Sequence, residues 1–160
     1  MAKMMTREGY EALVAEIERL WSVERPEVTA QVSAAAELGD RSENAEYIYG
    51  KKRLREIDAK LEKLRKRADG VTVVDLARQP TYADVRFGAV VQVEDDDGNV
   101  RSYRLVDQDE SDPARGRISV QSPIGRALLG RRKGDAVEVS LPKGRVGLEI
   151  LAIRYGAGDP

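Results

Sequence analysis

The 160-residue chain contains no cysteine and no histidine. Without thiols there can be no disulfide and no thiolate zinc site, and without imidazole there is no Ser-His-Asp or Cys-His nucleophilic machinery. Chemistry is left to carboxylates, Lys, Arg, Tyr and the backbone, and any metal would be an oxygen-preferring ion such as magnesium or manganese. Aromatic residues make up only 5%, with one Trp and one Phe. Trp21, and Phe87 with its strand neighbours, therefore read as core rather than as parts of a binding pocket. No run approaches the roughly 18 apolar residues that a membrane helix needs. The segment Met1 to Thr6 lacks the apolar centre of a signal peptide, so a cytoplasmic chain with no membrane partner is expected. Nor does one sign of charge prevail: 27 basic side chains face 28 acidic ones, for a net charge of −1. The chain as a whole is no general binder of polyanions.

What is present in quantity is charge arranged on helical patterns. Thr6 can cap a first helix, with Glu8 in its first turn. Tyr10, Leu13, Ile17 and Leu20 then recur at steps of three and four. Pro26 removes a backbone donor and is expected to kink or locally open the helix. The stripe resumes at Val28, Val32 and Ala35, inside the small-residue run 34–36. If helical from Arg7 to Leu38, this arm spans roughly 48 Å at ~1.5 Å per residue. A return helix carries Tyr47, Gly50, Leu54, Ile57, Leu61, Leu64 and Ala68, again in alternating steps of three and four, which is the pattern of a two-stranded seam. Gly50 marks a close or a loose contact in it. Residues 1–40 are net acidic and residues 41–70 net basic, so the arms attract, although each exposed pair adds only ~0.2–1 kcal/mol.

After Gly70 the period changes. Strands are predicted at residues 71–74, 87–94, 100–106, 118–121, 136–141 and 147–155, with Asp95 to Asn99 as an acidic hairpin turn and a short helix at 123–129 opened by Ser122. Asp95 to Asn99 lacks the alternating ligands and terminal Glu of a calcium loop. The fold class is thus α+β: an N-terminal antiparallel α-helical coiled-coil hairpin over residues 1–75, then a small, mostly antiparallel sheet domain over residues 76–160.

Between the two helical patterns lies the polar stretch Leu38 to Tyr47. One reading makes Asp40 and Ser42 caps of the second helix, with Glu43 complementing its dipole. The other makes Asp40 and Glu43 an incomplete metal hand. Magnesium takes about six oxygens and two carboxylates supply only about two, so such a tip would complete the shell of an ion held mainly by a partner. The run Lys51, Lys52, Arg53, Leu54, Arg55 follows one to two turns behind. It is either a solvated helix face with pairs inside the hairpin or a phosphate-facing patch. Tyr47 and Tyr49 are the only aromatic residues near it, so sequence-specific reading of nucleic acid is not expected.

Several stretches resemble the bacterial Gre transcript-cleavage factors: Thr6 to Tyr10, Glu24 to Val28, the Gly-Asp-Arg-Ser-Glu-Asn-Ala core of Leu38 to Tyr47, Lys51 to Asp58, and Ser122 to Gly130 followed by Gly134 to Val139. The resemblance covers nearly the whole chain and is strongest over residues 6–69. It implies an FKBP-like second domain that docks on RNA polymerase, and a coiled-coil finger that enters the enzyme's secondary channel. It further implies that Asp40 and Glu43 help to hold an Mg2+ ion shared with the polymerase active site, none being tightly bound to the free protein. Hydrolytic cleavage of backtracked nascent RNA at its 3′ end is then stimulated, the factor being no enzyme by itself. Lys51, Lys52, Arg53 and Arg55 correspond to a basic patch facing that RNA, and Arg41, Ser42, Asn44 and Tyr47 support the tip. A monomer is expected. An alternative is a non-cleaving regulator that binds the same channel, although the Asp-Arg-Ser-Glu spacing is intact here. A stand-alone prolyl isomerase is disfavoured by the scarcity of aromatic residues.

Overall fold

The computed structural model describes residues 3–41 and 43–160. They form two compact units, one of Tyr10–Val71 and one of residues 3–9 with Thr72–Pro160.

The first unit is a helical hairpin. Its outgoing arm is α1 (Arg7–Arg19), a π-helical turn at Leu20–Glu24, and α2 (Arg25–Ala36); the return arm is α3 (Ala45–Ala68). Pro26 lies in the first turn of α2. Its ring would collide with the carbonyl four residues back in a regular helix. In the wide turn the Arg25 N–H instead donates to the Leu20 carbonyl, five residues back. Arg19, Glu24 and Arg25 all keep right-handed helical backbone angles. The local opening that Pro26 demands therefore takes the form of a π turn and not of a break.

Leu13, Leu20, Val28 and Ala35 on the outgoing arm, and Ile57, Leu61 and Leu64 on α3, are buried as the seam pattern predicts. Gly50 marks the close kind of contact: a Cβ there would come within 2.6 Å of Val32 Cγ2. Only a residue without a side chain lets the helices approach that far. Trp21 departs from its expected place in a core. It is half exposed, and the guanidinium groups of Arg25 and Arg65 stand 5.4 and 5.3 Å from its ring centre. At its position it misses the seam, and the two cations cover its faces instead.

Charge crosses the hairpin as the net signs suggest. Glu16 meets Lys60 at 3.3 Å, Arg25 meets Asp58 at 2.8 Å, and Arg53 binds Glu24. Hydrogen bonds from Arg19 first, and then from Lys60, hold the Glu16 carboxyl at about 2 against an ordinary 4.5. A carboxylate whose value is lowered on folding stabilises the fold above its unfolded value and loses that effect as pH falls through its folded one. The stability gap between the wild-type chain and Glu16→Gln should therefore narrow between about pH 4.5 and 2. Thermal melts at stepped pH measure it; a constant gap would show that the pair contributes nothing.

The second unit holds two sheets. β1 (Lys3–Thr6), which the sequence reading leaves without structure, pairs with β2 (Val71–Val74). Thr6 then caps α1, its Oγ1 accepting the Gly9 N–H at 3.1 Å. The larger sheet runs in the order β5-β4-β3-β7-β6, with β3 (Val90–Asp95), β4 (Val100–Val106), β5 (Arg117–Ser119), β6 (Ala136–Leu141) and β7 (Gly144–Arg154). All neighbours are antiparallel except β4 and β5. β3 starts later than the predicted strand at 87–94, and β7 starts earlier than that at 147–155. The short helix α4 (Pro123–Leu128) is capped by Ser122, whose Oγ accepts the Gly125 N–H. Its Leu128 joins Val91, Val93, Leu105, Val137, Val139, Leu148 and Ile150 in one core. Phe87 is buried, as expected. Arg104 is buried as well, its guanidinium donating to the carbonyls of Gly88, Gly156 and Gly158, so it fastens the last residues to the sheet. No helix among the described residues is long and apolar enough to cross a membrane.

Candidate functional site

The hairpin end is built by a few local constraints. The Leu38 N–H returns to the Ala35 carbonyl at 3.1 Å as α2 unwinds. Gly39 follows with φ of 125°, a conformation that favours glycine. Asp40, Arg41 and Glu43 then stand exposed on the turn. Ser42 lies outside the described residues, and with it the reading of that side chain as a cap or as tip support.

The cap of α3 is Asn44 and not Asp40, one of the two residues that the capping reading assigned to it. Asn44 Oδ1 accepts the Tyr47 N–H at 3.1 Å, and its Nδ2 donates to the Ala35 carbonyl at 2.6 Å. One side chain thus closes the start of α3 and ties it to the end of α2. Asp40 stands five positions before the first residue of α3, too far for a cap. The carboxylates at 40 and 43 are exposed on the turn, and neither is the cap that Asn44 supplies. Tyr47 is half-buried beneath Arg41, whose guanidinium lies 5.5 Å from its ring centre.

Replacing Asn44 by Ala removes both bonds. Loss of such a cap costs about 0.5–2 kcal/mol, and the cross-link to Ala35 places this variant towards the upper end. Urea unfolding of the hairpin, followed by Trp21 fluorescence, checks it; an unchanged midpoint would show that the turn does not depend on Asn44.

Behind the tip, the basic run divides. Lys51, Lys52 and Arg55 are exposed and form no ion pair among the described residues. Arg53 is partly buried and binds Glu24 on the opposite arm and Glu56 on its own helix. The sequence pattern alone treats the four as equals; Glu24, the partner that separates them, is 29 positions away in the chain. Among the described residues no group of three or more acidic side chains gathers in a way that could hold a metal ion. Two hard carboxylate oxygens suit magnesium but fill only part of its shell.

With this geometry in view, two family models match the chain: "Transcription elongation factor, N-terminal" over residues 3–73 and "Transcription elongation factor, GreA/GreB, C-term" over residues 79–155. The chain belongs to the GreA/GreB family and is a Gre-type transcription elongation factor. Within the family its kinship is with GreB. It is 51% identical to transcription elongation factor GreB of Yersinia pestis over 155 residues, covering 97% of this chain and 90% of that one. To GreB of Haemophilus ducreyi it is 47% identical over 151 residues, covering 94% and 93%. Among solved structures, GreA factor homolog 1 of Thermus thermophilus is 26% identical, with a TM-score of 0.43 and coverage of 96% and 99%.

Proposed function

We propose that the chain binds bacterial RNA polymerase in the cytoplasm, as a monomer. It inserts the hairpin tip into the secondary channel and stimulates hydrolytic cleavage of backtracked nascent RNA at its 3′ end, restarting arrested complexes. The observation that carries this reading is the exposure of Asp40 and Glu43 on a turn whose helix cap is supplied by Asn44.

Each part of the hairpin has a task in that reaction. The apolar seam keeps the two antiparallel arms side by side, so the tip arrives as one body. Asn44 ties the start of α3 to the end of α2, and the carboxylates at 40 and 43 are presented between those two fixed helix ends. Asp40 and Glu43 would then add oxygen ligands to an Mg2+ ion held chiefly by the polymerase. An ion so placed supplies Lewis-acid stabilisation of the phosphodiester and a more acidic bound water. Lys51, Lys52 and Arg55 offer positive charge to the extruded strand, while Arg53 clamps the arms together. The second unit serves as the docking domain. The chain performs no hydrolysis alone; it lends ligands to the polymerase.

The test uses purified protein and stalled, backtracked elongation complexes. Stimulated release of short RNA fragments from the 3′ end, dependent on Mg2+, is expected. Tight occupancy of the channel without any added cleavage would overturn the reading in favour of a regulator that only binds.

A further inference from the structure

We propose that Tyr49 is a stacking platform for a base of the extruded RNA, and that Lys52 and Arg55 hold phosphates of the same strand on the side of the ring away from the tip. The proposal rests on the cleavage reading above and deepens it.

Tyr49 lies on α3 immediately behind the tip and is 70% exposed. Among the described residues no other ring and no cation covers it. Tyr47 differs, because it is half-buried and Arg41 already stands over its ring. Trp21 differs too, with both of its cations in place. Tyr49 is thus the tyrosine near the tip whose face is open to a partner.

The cations beside it are of two kinds. Arg53, four residues on, is engaged by Glu24 and Glu56. Lys52 and Arg55 are exposed and in no ion pair among the described residues. Positions 49, 52 and 55 advance by three, so successive ones are neighbours in a slanting row, each about 4.5 Å further along the axis and turned by about 60° round it. An open aromatic face followed along the helix by two cations in no ion pair among the described residues matches the needs of a single strand: any base can stack, and the phosphates on one side of it find positive charge. A protein wall could also accept a tyrosine, but it would give no reason for the unpaired cations in the same row.

The experiment compares wild-type protein with Tyr49→Ala and Tyr49→Phe on backtracked elongation complexes carrying short or long extruded RNA. For each, the concentration giving half-maximal cleavage is measured, and the ratio of the long-RNA to the short-RNA value is formed. Tyr49→Ala should raise that ratio about tenfold, the effect of losing one base stack. Tyr49→Phe, which keeps the ring, should restore it. A photoreactive thiouridine placed in the extruded strand gives a second readout without cleavage: crosslinking to the wild-type chain should fall sharply in Tyr49→Ala. An equal loss at both RNA lengths would assign Tyr49 to a protein contact and overturn the proposal, as would no loss at all. If the wild-type protein stimulates no cleavage and captures no crosslink, the reading beneath fails and this one falls with it. Wild-type cleavage with an unchanged Tyr49→Ala ratio defeats the stacking role alone.

Discussion

Asp40→Asn should reduce stimulated RNA cleavage by roughly 100-fold, about 2.7 kcal/mol of barrier, while polymerase binding persists. Asparagine matches aspartate in size and can still accept hydrogen bonds, so the substitution at position 40 removes charge without changing bulk. On the proposed reading the variant loses an anionic oxygen that would be offered to a divalent ion, and such an ion is worth several kcal/mol to a reaction that builds charge on phosphate. Glu43→Gln should behave in the same way. Because a weakened ligand set can be offset by mass action, extra Mg2+ should partly restore the Asn variant. Cleavage is read from labelled RNA, and binding from competition against wild-type protein. Normal cleavage by either variant would remove the metal-hand role. Loss of binding together with cleavage would instead make the tip an anchoring element.

The second large effect concerns the seam. Leu61→Ala should destabilise the hairpin by about 2–5 kcal/mol, the usual cost of such a cavity in a core. Leu61 is only 2% exposed, and the seam depends on few side chains of its size. The chain's one tryptophan, Trp21, belongs to the hairpin, so its fluorescence follows that unit. The second unit keeps a separate core around Val91, Leu105 and Ile150. Amide hydrogen exchange in β3 and β7 should therefore show that unit melting near the wild-type temperature while the Trp21 transition moves down. Coincident, unshifted transitions would show that the seam is not what holds the arms.

The hairpin was largely legible in the sequence because helix periodicity is local. Leu13, Leu20, Ile57, Leu61 and Leu64 repeat at the helical interval, and the repeat alone separates inside from outside. Strand β6 was equally plain, as its alternation Val137, Val139 against Glu138, Ser140 matches its burial. What the sequence withheld was set by partners distant along the chain. β1 is four residues long and becomes a strand only because β2, some 65 residues later, lies beside it. Trp21 looked like core by type, yet its place on the helix points it away from the seam. At the tip, three good capping residues compete within five positions, and spacing could not choose Asn44. That choice depends on the Ala35 carbonyl, which is available to the Asn44 amide only once the chain has turned. The division of the basic run has the same origin, since Glu24 lies on the other arm.

The wide turn at Leu20–Glu24 also settles a matter of phase. Going from Leu20 to the next buried seam residue, Val28, takes eight positions, whereas two ordinary helical turns return to the same side after about seven. A π turn holds one residue more than an α turn, so it absorbs the surplus and Val28 still comes round to face α3. The arm thus carries a one-residue insertion whose angular error is cancelled where it arises. Glu24 and Arg25, partly buried at the end of that turn, are the groups that reach Arg53 and Asp58 on the other arm. A surplus residue and a proline, each disruptive on its own, are reconciled by a single loosened coil.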